Sequence, residues 1–358
     1  MNNKDYQEIL KEIKPGTDEI NLIKKLASNL IKSINNTALE QGIDAQAVLV
    51  GSVAKGTWLS GKADVDIFIK FPLNTPEDTL KKDGVFLGRK CIEDMNGTFE
   101  FRYASHPYIT GLIKGFEIDF VPCYDIKRTK KIKSAVDRTI PHTQYVKKHL
   151  KAEEADEVLL LKCFMKTIDT YGSEFKVGGF AGYLCELLVL HYKTFLRVLE
   201  SASDDWKPGY SIDLAGYGTT ENFKEPLIVV DPVDPDRNVA AALTLEKMSE
   251  FIAASRHFLK TKSISYFKPN PININLNKIK DLFKGRGTKT LIISFKAPDI
   301  PADALYPQIN KTTNSTRKLV NKNGFILYDS ASWTDEKEKI VILLEFEVWK
   351  LPRIRKHH

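Results

Sequence analysis

The sequence predicts a multidomain α+β protein. Its 358 residues exceed the size of most single hydrophobic cores. Short apolar segments with a period of two between residues 48 and 123 are typical of strands, whereas residues 145–262 have the apolar spacing of long helices. Strand and helix patterns mix again after residue 263. We therefore expect three domains, formed by residues 1–144, 145–262 and 263–358.

The first domain is predicted to be a mixed β-sheet with helices. Residues 1–46 have helical spacing, and Gly42 is expected to end the helix. A first strand includes Val48–Val50 and a second covers Lys62–Phe71. A β-meander of three strands follows, with turns at "HP" and "IKG", over Thr98–His106, Pro107–Ile113 and Phe116–Cys123.

The second domain is predicted to be helical. Three segments read as helices: "EEADEVLLLKCFMKTIDTYG", ending at Gly172; "GGFAGYLCELLVLHYKTFLRVLESA", apolar throughout and therefore buried; and "LTLEKMSEFIAASRHFLKT". Pro232 and Pro235 predict a rigid turn between the second and third helices. In the last domain, "TKTLIISFKAP" and "EKIVILLEFEVWKL" read as strands, and "INKTTNSTRKLVNKNGF" as a helix ending at Gly324.

The composition indicates a cytoplasmic globular protein. No apolar run reaches the length of a membrane span, and the N-terminus lacks the apolar core of a signal peptide. The four cysteines form no CxxC pair, which is typical of reduced thiols and argues against a structural zinc site. The net charge of +7 is compatible with a polyanionic partner and equally with an ordinary basic enzyme.

Two carboxylates lie two residues apart in the second predicted strand. Asp64 and Asp66 point to the same side as Phe68, because residues i and i+2 of a strand share a face at about 7 Å. Val65, Ile67 and Ile69 point to the other, buried face. For a lone DxD pattern, the exposed face of an edge strand is the commoner explanation. Otherwise a cation must compensate the pair, and oxygen-only ligands favour Mg²⁺.

The segment "FEIDFVPCY" offers a third carboxylate. If this strand lies beside Lys62–Phe71, Asp119 completes a cluster of three with Asp64 and Asp66. Two Mg²⁺ ions held there could activate a hydroxyl and stabilise a leaving pyrophosphate. Upstream, "LVGSVAKGTWL" reads as a strand, a turn at Gly51-Ser52 and a short helix, where backbone N–H groups, the Ser52 hydroxyl and Lys55 favour an anion.

A phosphate-binding turn, a DxD strand and a distant third Asp resemble the DNA polymerase β-like nucleotidyltransferases. Further segments resemble one family of that superfamily, the archaeal-type (class I) CCA-adding tRNA nucleotidyltransferases. They span roughly residues 45–310 in the family's order, and include "GSVAKGTWLSGKADVDIFIKFP", "RYASHPYITGLIKGFEIDFVPCY", "IKSAVDRTIPHTQYV", "YGSEFKVGGFAGYLCELLVLHY", "VVDPVDPDRNVAAALT", "YFKPNP" and "KAPDIPADALYPQI". The resemblance implies a catalytic head, a helical neck that binds the nucleotide and primer end, and an α+β body that binds RNA.

The resemblance also implies roles for ten residues. Asp64, Asp66 and Asp119 would be the catalytic, metal-binding carboxylates. The nucleotide-binding residues would include triphosphate contacts, among them Lys55, where the family commonly has Arg, and a base-selecting arginine at the RNA end, Arg237. The nucleotide set is Gly51, Ser52, Lys55, His142, Lys162, Tyr171 and Arg237.

Other readings of these residues stay open from the sequence. Lys162 could be a surface lysine, Tyr171 a helix end packed on the core, and His142 a plain loop residue. His106 fits a turn or core position better than a catalytic base. The acidic residues of "DPVDPD", which begins at Asp231, fit loop and cap roles. The basic run Lys127–Lys133 fits a solvated loop or a phosphate contact.

The family adds C, C and A to the 3′ end of tRNA without a nucleic-acid template. The implied cofactor is Mg²⁺, as two ions. The implied partners are CTP, ATP and the acceptor stem and 3′ end of tRNA; no membrane is involved and a homodimer is left open. The alternatives are another enzyme of this fold, such as a poly(A) polymerase or an oligoadenylate synthase-like protein, and a catalytically idle RNA-binding protein.

Family members continue past the position of His358 into a tail that grips the far part of the tRNA minihelix. From the sequence we expect the catalytic parts to be present and this distant contact to be missing.

Overall fold

The computed structural model describes residues 3–103, 107–126, 135–268 and 275–352. Two units make up the chain, the first formed by residues 1–173 and 177–269 and the second by residues 174–176 and 270–358. His106 and the basic run Lys127–Lys133 lie outside the described residues. None of the helices in the described ranges is both long enough and apolar enough to cross a membrane.

The first part of the first unit combines a five-stranded sheet with five helices. The helices are α1 (Asn3–Ile13), α2 (Thr17–Glu40), α3 (Gly51–Lys55), α4 (Glu77–Asp94) and α5 (Thr139–His149). The strands are β1 (Gln46–Val50), β2 (Val65–Phe71), β3 (Thr98–Tyr103), β4 (Pro107–Ile113) and β5 (Phe116–Tyr124). The predicted end of α2 near Gly42 and the predicted meander are confirmed.

The sheet has the order β1-β2-β5-β4-β3, and β2 and β5 run parallel while the other neighbours are antiparallel. Helices α2 and α4 cover one face and enclose a core with Ile67 and Phe120. Gly88 of α4 lies so close to the sheet that a Cβ there would be 2.9 Å from the Cβ of Phe120. The other face holds a smaller core that joins Phe68 to Ile140 of α5.

The rest of the first unit is mainly helical. Its helices are α6 (Ala152–Thr167), α7 (Gly182–Tyr192), α8 (Phe195–Asp204) and α9 (Leu245–Thr261). A three-stranded sheet lies between α8 and α9 in the chain, formed by β6 (Tyr210–Asp213), β7 (Leu227–Asp231) and β8 (Asp234–Asn238). An aromatic-rich core around Phe164 joins these helices, and it includes Ile9 and Leu10 of α1. The first helix of the chain therefore packs on the helical part rather than on the large sheet.

Two predicted helix ends are wrong, for local backbone reasons. Helix α6 ends at Thr167 and not at Gly172, because Asp169 takes a left-handed conformation with φ of 55°. The predicted long helix after Gly178 is two helices, because Lys193 has φ of 76° and the Thr194 hydroxyl accepts a hydrogen bond from the N–H of Arg197 as the cap of α8. Pro232 and Pro235 lie at the β7–β8 hairpin.

The second unit has an antiparallel sheet of order β10-β11-β9. Its elements are α10 (Leu276–Gly285), β9 (Lys289–Lys296), α11 (Ala302–Lys322), β10 (Ile326–Thr334) and β11 (Lys339–Val348). The sequence predicted β9, β11 and α11, although α11 begins earlier than expected, and missed α10 and β10. Most residues of strand β10 are exposed, so its sequence lacks the regular alternation of buried apolar and exposed polar residues that predicts a strand.

Candidate functional site

The three predicted carboxylates lie where β2 and β5 run side by side. Asp66 pairs in register with Asp119 of the parallel strand β5, and with Val50 of β1 on its other side. Strand β2 begins at Val65, so Asp64 directly precedes the strand and is exposed. The predicted adjacency of the two strands is confirmed, and the edge-strand explanation is wrong because β2 is an inner strand of the sheet.

The carboxylates repel one another in a poorly solvated place. Burial, followed by the nearby charges of Asp119 and Asp64, raises the pKa of Asp66 to about 7. Burial also raises the pKa of Asp119, although a 2.6 Å hydrogen bond from the Thr110 hydroxyl to its Oδ1 opposes the effect. Asp64 is more exposed than the other two acids, yet partial desolvation and then the charge of Glu117 raise its pKa. Such a set of acids is destabilised until a cation compensates it.

The donor set fits a hard divalent cation in its chemistry, because all three ligands offer carboxylate oxygens. As the side chains stand, however, no group of three His, Cys, Asp or Glu in the described ranges is gathered closely enough to hold a metal ion. Asp66 and Asp119 share a register position, whereas Asp64 precedes the strand and is exposed.

The Gly51 turn lies against the Asp66 carboxylate. Gly51 has φ of 72°, and a Cβ added there would lie 1.8 Å from Asp66 Oδ2. Its N–H donates to Thr143 Oγ1 of α5 at 3.3 Å, so β1, α3 and α5 meet at this point. Ser52 follows in α3, half-buried. Only glycine fits here, because the backbone is left-handed and the carboxylate leaves no room for a side chain.

Two predicted phosphate-binding lysines share one buried carboxylate. Lys55 Nζ lies 2.6 Å from Glu186 Oε2, and the Thr57 hydroxyl donates to Glu186 Oε1 at 2.6 Å. Lys162 Nζ donates to the Thr57 carbonyl at 2.8 Å and lies 3.8 Å from Glu186 Oε1. Lys162 is 3% exposed, so the surface-lysine explanation is wrong. Burial lowers the pKa of Lys162, and the Glu186 carboxylate opposes this effect. With both lysines protonated, the cluster holds two positive charges and one negative charge.

Tyr171 lies beside the same cluster. A Cβ added at Gly182 would be 3.0 Å from the Tyr171 hydroxyl and 3.5 Å from Lys162 Nζ, which places both groups around Gly182. Tyr171 forms an isolated bridge with Phe180, and Lys166 lies over its ring at 5.2 Å. Tyr171 also packs against the aromatic-rich core, so its position fits the core interpretation as well as a place beside Lys162.

His142 and Arg237 meet at a fully buried Asp231. His142 Nε2 lies 2.7 Å and Arg237 Nη1 2.8 Å from Asp231 Oδ2. The Tyr183 hydroxyl donates to Asp231 Oδ1 at 3.2 Å, as does the N–H of Val233 at 3.1 Å. The prediction of a turn role for Asp231 holds for the Val233 contact but misses the side-chain cluster. Burial alone would raise the pKa of Asp231, but its contacts with His142, the N–H of Val233 and Arg237 together lower it. Burial lowers the pKa of His142.

Tyr183 connects the two clusters. Its ring stacks on His142 with centroids 4.0 Å apart, and Lys55 Nζ lies 5.8 Å from its centroid. All ten predicted residues therefore lie in the first unit, in contiguous groups around the Gly51 turn, Glu186 and Asp231. Sequence reasoning missed Glu186, Thr57, Thr143 and Tyr183. A signal existed for Glu186, since an acid inside the apolar run "LCELLVL" needs a partner.

The chain matches three protein families in succession. These are "Nucleotidyltransferase domain" over residues 31–142, "tRNA nucleotidyltransferase, second domain" over residues 156–268, and "CCA-adding enzyme, C-terminal domain" over residues 286–358. The first match includes the three carboxylates and the Gly51 turn, and the second includes Glu186 and Asp231.

Curated relatives match over nearly the whole chain. A protein named CCA-adding enzyme from Methanothermobacter thermautotrophicus is 54% identical over 354 residues, which are 99% of this chain and 78% of the relative. The CCA-adding enzyme of Methanopyrus kandleri is 39% identical over 97% of this chain and 75% of the relative. That of Methanocaldococcus jannaschii is 37% identical, over 97% and 78% respectively.

Solved structures share the fold at much lower identity. A Cid1 poly(U) polymerase structure has a TM-score of 0.58 at 18% identity, covering 74% of this chain and 97% of the other. A CdnC structure from E. coli, in complex with HORMA, has a TM-score of 0.58 at 15% identity, covering 75% and 93%. These likenesses indicate a nucleotidyltransferase fold with mixed sheets and helices.

Proposed function

The chain belongs to the family of CCA-adding enzymes, and from that premise we propose that it adds C, C and A to the 3′ end of tRNA. CTP and ATP would be the substrates and pyrophosphate the leaving group. The observation that carries the proposal is the register pairing of Asp66 with Asp119 in a chain 54% identical to a named CCA-adding enzyme. A poly(A) polymerase, an oligoadenylate synthase-like enzyme and an idle RNA-binding protein are not favoured, because the named relatives share one activity.

We propose that Asp64, Asp66 and Asp119 hold two Mg²⁺ ions. When bound, the ions would lower the pKa of the RNA 3′-hydroxyl and neutralise the leaving pyrophosphate. The 3′-oxygen would form a bond to the α-phosphorus while the bond to the bridging oxygen breaks, and the hydroxyl proton would pass to solvent. The protein would position the carboxylates. The Gly51 turn lies against Asp66, and the Thr110 hydroxyl donates a hydrogen bond to one oxygen of Asp119.

The triphosphate would bind at the lysine cluster. When protonated, Lys55 and Lys162 would place two positive charges against the single negative charge of Glu186, so the cluster would favour a polyanion. A bound polyanion would in turn favour the protonated form of Lys162, whose pKa burial lowers. Ser52 would add a hydroxyl donor from α3, and Tyr171 a second one next to Lys162. A lysine in place of the family's arginine at position 55 keeps the charge but gives up the two-pronged hydrogen bonding of a guanidinium.

The nucleoside would lie towards the Asp231 cluster. His142 and Arg237 are held there by one carboxylate, and the side chain of Arg237 is one-third exposed, which leaves further N–H groups free to face a ligand. With the 3′ end of the RNA, Arg237 would help to select the base.

From the positions of these sites we propose a role for each of the three domains. Residues 1–144 would form the catalytic domain, residues 145–262 the domain that binds the nucleotide and the primer end, and residues 263–358 an RNA-binding body. The acceptor stem and 3′ end of tRNA are the proposed partner. A homodimer and a cytoplasmic location stay predictions.

Product analysis tests the proposal. The enzyme is incubated with Mg²⁺ and a tRNA that ends at the discriminator base, with CTP alone, ATP alone or both, and the products are sized and sequenced. We expect two residues from CTP alone, no efficient addition from ATP alone, and three residues ending in A from both. A tRNA that already ends in CCA is the control and should not grow. A long tail from ATP alone would overturn the proposal in favour of a poly(A) polymerase.

A further inference from the structure

The Asp231 cluster constrains the protonation of His142. Four groups direct hydrogen-bonding atoms at the Asp231 carboxylate, and three of them can only donate there: the guanidinium of Arg237, the hydroxyl of Tyr183 and the backbone N–H of Val233. An ionised carboxylate accepts hydrogen bonds and has no proton to give. His142 Nε2, at 2.7 Å from Oδ2, must therefore carry a hydrogen and donate it to Asp231.

The surroundings of the ring disfavour a second proton. The ring is 12% exposed and stacks on Tyr183, and the charged groups that face it are Asp231, Arg237 and Lys55. The one negative charge is already paired with Arg237 at 2.8 Å. Burial lowers the pKa of His142, the hydrogen bond and charge of Asp231 oppose this effect, and both cations act with burial, so that the pKa lies below its usual value. Near neutral pH the ring is neutral, with its hydrogen on Nε2 and a lone pair on Nδ1.

The second ring nitrogen of His142, Nδ1, is the one that could accept a hydrogen bond from a ligand. In the part of the chain that the structure describes, His142 has one hydrogen bond from its ring, the one to Asp231. Its neighbour Thr143 accepts the N–H of Gly51, so the same turn of α5 lies beside the turn that contacts Asp66. A ligand seated between the carboxylates and the Asp231 cluster would meet Nδ1 as a hydrogen-bond acceptor.

We propose that Asp231 is a positioning residue that holds His142 in the tautomer whose Nδ1 is a hydrogen-bond acceptor. Nδ1 would then accept a hydrogen bond from a donor group of the nucleoside and would not contact a phosphate oxygen. The inference rests on the proposed function. Two donors fit: the exocyclic amino group, which cytosine and adenine share, and a ribose hydroxyl. Because uracil and hypoxanthine present a carbonyl where cytosine and adenine present an amino group, an acceptor at this place would also reject them.

Nucleotide analogues distinguish the two donors. Single-residue addition to a tRNA ending in CC is measured with ATP, with purine riboside triphosphate, which lacks the 6-amino group, and with 2′-deoxy-ATP. Each is measured for the unmodified enzyme and for His142→Phe, which keeps a ring to stack on Tyr183. Loss of one neutral hydrogen bond corresponds to about 2- to 10-fold in kcat/KM. We expect one analogue to be worse than ATP by that factor in the unmodified enzyme and to lose this extra penalty in His142→Phe.

The role of Asp231 is tested in the same assay. Asp231→Ala should lose the same discrimination as His142→Phe, because alanine accepts no hydrogen bond and leaves the ring free to turn. Asp234→Ala is the matched control: Asp234 belongs to the same hairpin, pairs with Arg138 at 2.7 Å, and should keep the discrimination. Equal penalties for both analogues in all enzymes would overturn the proposal while leaving CCA addition itself intact.

A spectroscopic measurement does not depend on the variants folding. Long-range ¹H–¹⁵N correlation spectra of the full chain, labelled at histidine and assigned by His142→Gln, report which ring nitrogen carries hydrogen. We expect the neutral Nε2–H form for His142 at pH 7. A neutral Nδ1–H form, or an imidazolium at that pH, would contradict the proposal. Absence of any nucleotide addition by the unmodified enzyme would instead contradict the proposed function.

Discussion

Replacing Gly51 by alanine should disable the site by moving one carboxylate. A Cβ at position 51 would lie 1.8 Å from Asp66 Oδ2, against a contact limit of 3.0 Å that real Cβ atoms essentially respect, so the two groups must separate by more than an ångström. A misplacement of about 1 Å can cost about 10²-fold in rate. The left-handed φ of 72° adds roughly 1–2 kcal/mol of backbone strain to the folded state.

Gly56→Ala is the matched control. Gly56 also has φ of 72°, yet nothing lies within 4 Å of the position its Cβ would take. Gly56→Ala should therefore lose roughly 1–2 kcal/mol in urea unfolding, and Gly51→Ala at least as much, because its Cβ must also displace the Asp66 carboxylate. Only Gly51→Ala should lose about 10²-fold in the rate of CTP addition at saturating tRNA and CTP. Equal rates for the two variants would refute the close support of Asp66 by Gly51.

Two further predictions concern the lysine cluster and pH. Lys162→Met should lower kcat/KM for CTP and ATP alike by about 10- to 150-fold, which corresponds to the loss of one charge-assisted hydrogen bond. Lys166→Met is the control, because Lys166 lies one turn further along α6 and is exposed, and it should change kcat/KM little. A large shift in the preference for CTP over ATP in Lys162→Met would place Lys162 near the base. His142 should lower the free energy of unfolding as pH drops below 6.5, because the unfolded chain then protonates this ring while burial keeps the folded ring neutral. The raised pKa of Asp66 acts in the opposite direction, so the His142 contribution is measured as the difference between the unmodified enzyme and His142→Gln. As pH drops below 6.5, the unmodified enzyme should lose stability relative to His142→Gln, and a difference that does not change with pH would contradict the buried neutral ring.

The carboxylate arrangement could be predicted because it depends on local periodicity. The period of two places Asp64 and Asp66 on one side of β2, and the apolar segment "FEIDFVPCY" offers Asp119 as a third acid. In the sheet, Asp66 pairs with Asp119. The same reasoning did not predict that the face shared by Asp64, Asp66 and Phe68 would be covered by a helix. Phe68 is 5% exposed, because α5 covers that side through Ile140, so both faces of β2 are buried.

The clusters around Glu186 and Asp231 could not be predicted, because they depend on packing between distant segments. Lys55 and Glu186 are 131 residues apart in the chain, and His142 and Asp231 are 89 apart. A sequence pattern shows that a buried acid needs a partner but not which lysine supplies it. Likewise, the break between α7 and α8 falls at Lys193, where no glycine or proline marks it.

The central claim is that the acids of β2 and β5 carry the chemistry, and Asp119 tests it most directly. Glu117 is the control, because it precedes Asp119 by two residues on the same strand and pairs with Arg102 at 2.8 Å. The rate of the first CTP addition is measured at saturating tRNA, CTP and Mg²⁺ for Asp119→Ala and Glu117→Ala, after circular dichroism has shown both to be folded. Loss of a charged ligand should reduce the Asp119→Ala rate by about 10³-fold or more, while Glu117→Ala stays within a few-fold of the unmodified enzyme. A near-normal rate for folded Asp119→Ala would contradict the three-carboxylate site.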